Sequence, residues 1–119
     1  MKRGGFVLEG TINIYCKSQI LMGTTQYRLL NQIVTDGSIN AASKNLKMSY
    51  QHAWHIIDKM NELSPIPIVI RQKGGKAGGG CTISLYGMKI LNTYAQKELE
   101  LINFLKKANS QLNDCLLCS

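Results

Sequence analysis

The pattern of apolar and polar positions changes character several times along the chain. From Phe6 to Cys16 it has period two at its end: Ile12, Ile14 and Cys16 alternate with Thr11, Asn13 and Tyr15, as in a half-buried strand. Such a strand needs a partner, either a later hairpin or a second subunit. After Gly23, with Thr24 or Thr25 as a cap, Tyr27, Leu30, Ile33 and Val34 form a stripe at helical spacing that ends at Asp36-Gly37. Ser38 then offers an N-cap for a short helix in which Ala42 and Leu46 share a face. Lys47 and Met48 break the pattern, and Ser49 offers a second cap.

From Tyr50 to Leu63 the residues Tyr50, Ala53, Trp54, Ile57 and Met60 share one helical face, flanked by Ile56 and Leu63. Gln51, His52, His55, Asp58, Lys59 and Glu62 take the other. Pro65 and Pro67 stop this helix. Two β-forming runs follow, Ile66 to Gln72 and Cys81 to Leu85, joined by the loop KGGKAGGG. Ser84 caps a long helix from Leu85 to about Asn109. Its apolar residues cover too wide an arc for one small core, and Leu91, Ala95, Ile102 and Leu105 give a seam for a second copy. The fold expected is mainly α with a small β wing (α+β): a winged helix-turn-helix with an N-terminal strand and a long C-terminal dimerisation helix. Residues 1–5 read as a disordered start, 6–109 as the domain and 110–119 as a tail.

Composition sharpens this. Fourteen Lys and Arg face seven Asp and Glu, a net charge of +7, which suits a polyanion. Residues 38–80 alone hold Lys44, Lys47, Lys59, Arg71, Lys73 and Lys76 against Asp58 and Glu62. In a helix-turn-helix the N-terminal residues of the second helix meet base edges; Gln pairs with adenine, and His donates or accepts. Glycines let the wing backbone approach a surface, and lysines contact phosphates. The candidate DNA-binding set read from these residues is Ser38, Lys47, Ser49, Gln51, His52, His55, Arg71, Lys73, Gly75, Lys76 and Gly78. An ordinary solvated helix and a bare hairpin tip are the competing accounts of these two stretches.

Other chemistries fit poorly. The glycine loop is not a P-loop: no Gly-Lys-Ser/Thr closes it, and a strand, not a helix, follows. No catalytic constellation appears, and no cofactor or metal is expected; His52 and His55 lack an obvious third ligand. Cys16, Cys81, Cys115 and Cys118 read as free thiols, the Cys115–Cys118 pair being a weak metal signal alone. No run approaches the roughly 18 apolar residues of a membrane helix, and MKRGGFVLEGTINIY lacks the apolar core of a secretory signal. A cytoplasmic location follows as an expectation.

The marks Gly37-Ser38-Ile39, Ala41-Ala42, Ser49-Tyr50, Ala53-Trp54, Met60-Asn61, Gly74-Gly75-Lys76 and Gly78-Gly79-Gly80, then Ser84 and Gly87, resemble the N-terminal DNA-binding domain of the molybdate-responsive ModE regulators. The LysR-type winged helix is a more distant likeness. The resemblance runs from about Glu9 to about Leu105. It implies a homodimeric, bacterial-type transcription regulator that binds an inverted repeat in double-stranded DNA, and by position it adds Tyr50 to Ser49, Gln51, His52, Lys73 and Lys76 as DNA contacts. Full-length members carry a molybdate-binding domain after this one; the chain ends at Ser119, so molybdate binding is not expected. The alternative is a dimeric winged-helix adaptor that no longer binds DNA specifically.

Overall fold

The structure is a computed structural model that describes residues 5–72 and 80–117. The element order is β1 (Ile14–Cys16), β2 (Gln19–Met22), α1 (Thr24–Asp36), α2 (Ile39–Asn45), α3 (Tyr50–Leu63), β3 (Val69–Arg71), β4 (Cys81–Ile83) and α4 (Leu85–Leu117). Two compact units are distinguishable, Asn13–Tyr94 and Met1–Ile12 with Ala95–Ser119.

In the Asn13–Tyr94 unit, α1, α2 and α3 carry the core. Leu29, Leu30, Ile33, Ala42, Ala53, Ile57 and Met60 are all at or near zero exposure. This is the winged helix-turn-helix that the pattern predicts. Val34, assigned to the α1 stripe, is instead about half exposed. Ser38 caps α2, its Oγ accepting from the Ala41 amide at 3.0 Å; Ser49 caps α3 in the same way through His52 at 3.0 Å. Between them Lys47 takes φ 58°, and the Met48 amide donates to the Ser43 carbonyl at 2.9 Å, which closes the end of α2.

The wing is shorter than the pattern suggests. β3 and β4 pair antiparallel with Val69 opposite Ile83 and Arg71 opposite Cys81, and Gln72 adds one bond to the Gly80 carbonyl. Asn61 of α3 fastens its base. Its Oδ1 accepts from the Ile68 and Val69 amides, at 2.8 and 3.1 Å, and its Nδ2 donates to the Val69 carbonyl at 3.0 Å. Gly87 allows α4 to start against this base: a Cβ there would lie 2.6 Å from the Ile68 carbonyl oxygen. Burial pushes the Cys81 thiol above its ordinary pKa.

Two expectations need correction. The N-terminal strand does not pair with the wing hairpin. It pairs with β2, Cys16 opposite Gln19, across Lys17 and Ser18, both with positive φ as a two-residue hairpin requires. The long helix does not stop near Asn109 but continues to Leu117, because neither glycine nor proline interrupts residues 110–117.

The second unit explains why Phe6 to Leu8 are extended without forming a strand. Asn109 exchanges two bonds with Leu8, Nδ2 to the carbonyl at 3.0 Å and amide to Oδ1 at 2.6 Å. Asn113 does the same with Phe6, both at 2.9 Å. Four helical residues rise about 6 Å, close to the roughly 6.6 Å of two extended residues, so the two carboxamides match alternate peptide units.

Candidate nucleic-acid interface

The head of α3 is built by its cap. Ser49 anchors the first turn, and the next residues project into solvent: Tyr50, Gln51, His52 and His55 are exposed. Lys47, on the turn before, is exposed as well. Ser38 is half-buried, its oxygen engaged in capping α2; both serines keep a hydroxyl proton free to donate.

On the wing side, the exposed Arg71 ends β3. Its guanidinium carbon lies 3.4 Å from the Trp54 ring centroid. Tyr50 meets the same indole edge-on, centroids 6.2 Å apart and planes at 80°. The helix head and the wing base are thus joined through one aromatic side chain. Beside it opens a surface groove of about 490 Å³, lined by Trp54, Ile57, Asp58, Asn61, Pro67, Val69, Ile70 and Arg71.

Among the described residues the single ion pair is Lys97–Glu100. Lys44, Lys47, Lys59 and Arg71 therefore carry charge that no neighbouring carboxylate neutralises. No group of three or more His, Cys, Asp or Glu among the described residues stands together as metal ligands, His52 and His55 included. No helix among them is long and apolar enough to cross a membrane. Lys73, Gly75, Lys76 and Gly78, expected in the wing loop, lie outside the described residues, as does Cys118.

Of the expected dimer seam, Leu91 is 4% exposed and belongs to the core of its own unit. Ala95 and Leu105 are half-buried, and Ile102 is 52% exposed, with Leu99 exposed one turn before it and Phe104 exposed on another face of the helix. Apart from Leu85 at the helix start, which is 91% exposed, the open apolar residues of α4 lie beyond Leu91. The pattern missed two features here. Trp54 read as a plain apolar position, and the clue to more was a lone tryptophan four residues after a tyrosine. Asn61 stood out only as half of the Met60-Asn61 mark, with no role attached to it.

No protein-family model matches the chain. Curated relatives do. It is 41% identical over 93 residues to the molybdenum transport protein ModE of Azotobacter vinelandii, covering 78% of this chain and 34% of that protein. It is 39% identical over 86 residues to the transcriptional regulator ModE of Haemophilus influenzae, covering 72% and 34%. It is 41% identical over 86 residues to the DNA-binding transcriptional dual regulator ModE of Escherichia coli K12, covering 72% and 33%. The chain spans about a third of the length of these relatives. Among solved structures, ArgP from Mycobacterium tuberculosis matches with a TM-score of 0.55 at 23% identity, over 74% of this chain and 31% of that one, a likeness of fold. With these relatives, the chain is a homologue of the ModE transcriptional regulators over their N-terminal third.

Proposed function

We propose that the chain is a sequence-specific, double-stranded-DNA-binding transcription regulator that acts on an inverted repeat as a homodimer. The observation that carries this reading is the head of α3. Ser49, Tyr50, Gln51, His52 and His55 stand exposed on a capped helix, between an exposed Lys47 and an exposed Arg71 with no acidic partner.

The roles divide by chemistry. Gln51 and His52, nearest the helix start, read base edges in the major groove, with His55 one turn further on. Lys47, Arg71 and the wing lysines Lys73 and Lys76 hold phosphates, with the backbone of Gly75 and Gly78 passing close to the duplex. The exposed apolar residues of α4, centred on Ile102, join two copies and set their recognition helices about one DNA turn, roughly 34 Å, apart.

Selection of bound duplexes from a random library, at physiological salt, tests the proposal. Enrichment of an inverted repeat supports it. Binding without enrichment would leave a non-specific DNA-binding protein. Absence of binding would favour the adaptor reading instead.

A further inference from the structure

We infer that Trp54 is a positioning residue, holding the Arg71 guanidinium ready for a backbone phosphate of the duplex; this rests on the DNA-binding reading above. Arg71 lies where such a contact is useful, at the last residue of β3 and beside the exposed head of α3. A free arginine there would sample many rotamers, and each phosphate contact would have to order it. Stacked 3.4 Å over the indole, the planar guanidinium is already confined, and its in-plane N–H donors remain free to pair with phosphate oxygens.

Two observations argue that the indole is there for this contact and not as filler. Its Nε1 is buried without a hydrogen-bond acceptor, a desolvation cost that a phenylalanine or leucine would not carry. It also lines an open surface groove of about 490 Å³ together with Arg71, so it is not wholly enclosed in the core. What a tryptophan gives that smaller apolar residues do not is the strongest face for a cation. Tyr50, edge-on at 6.2 Å, steadies the ring from the other direction.

The test uses the full chain, in which Trp54 is the sole tryptophan. Without DNA, Arg71→Gln is expected to shift the indole emission to the red and to raise its quenching by acrylamide. With DNA, Trp54→Leu is expected to weaken duplex binding about five- to tenfold while keeping the salt slope, since the phosphate contact survives but must be ordered. In an Arg71→Gln background the same change is expected to have no further effect. Trp54→Phe gives a smaller loss with the fold intact, and carries the cycle if Trp54→Leu does not fold. Equal losses in both backgrounds, or none in either, would overturn the inference. So would an emission spectrum indifferent to Arg71→Gln. If the unaltered chain binds no duplex, the DNA-binding reading fails and this role fails with it; the emission result then still shows whether the stack exists.

Discussion

Lys47 carries two opposed demands at a single residue. Its φ of 58° is one that a β-carbon resists and glycine accepts freely. Lys47→Gly is therefore expected to raise stability by about 0.5–1 kcal/mol, measured by thermal unfolding. On the proposed function the same change also takes away a phosphate contact, so duplex affinity should fall for all sequences and the salt slope should drop by about one. A loss of stability instead would mean that the lysine stem packs on its neighbours. Glycines supply a complementary pair. Gly37 has φ 74° but open space around its missing side chain, whereas Gly87 has a carbonyl oxygen in the way. Gly37→Ala should cost about 1 kcal/mol, and Gly87→Ala clearly more, because the start of α4 must move off Ile68. Urea unfolding of the two variants checks the order.

Among the elements, legibility followed locality. The helix pair around Lys47 was plain from the chain because its information is local: serines at both caps and a 3.6-residue period on α3. β2 was not, since Gln19-Ile20-Leu21-Met22 does not alternate and Lys17-Ser18 is a weak turn pair compared with Asn-Gly. The end of α4 was missed because an apolar stripe that thins out looks like a boundary, although nothing breaks the helix. In the candidate site the exposed head of α3 followed from periodicity, but the Trp54–Arg71 stack and the Asn61 clamp depend on how β3 returns to α3, which no local rule gives. That clamp makes a prediction. Asn61→Ala leaves two amides and a carbonyl without their partners, a loss of roughly 1–3 kcal/mol. Asn61→Asp keeps an acceptor for both amides but turns a carboxylate oxygen toward the Val69 carbonyl in place of the donor, so it should preserve the two amide bonds while still costing stability. Amide exchange at Ile68 and Val69, compared between the two variants, reads this directly.

For the whole molecule the question is what covers the apolar residues left open on α4. Leu99 and Ile102, three apart on one helical face, are each 52% exposed, an apolar pair that a second copy can bury; Phe104, 62% exposed, lies on another face. Leu91 cannot take part, because it is already enclosed in its own unit, so the decisive position is Ile102. Ile102→Glu places a charge in the middle of that surface without touching the core of the Asn13–Tyr94 unit. It should leave the thermal transition of that unit nearly unchanged and convert a dimeric mass in light scattering to a monomeric one. Duplex binding should then lose its dependence on a second half-site, since a monomer engages one recognition helix alone. Leu91→Ala should act in the opposite sense. It removes about 2–5 kcal/mol of core stability and affects association only as far as the fold itself weakens. If Ile102→Glu stayed dimeric while Leu91→Ala dissociated, the contact between copies would lie nearer the winged helix than the open face of α4 suggests.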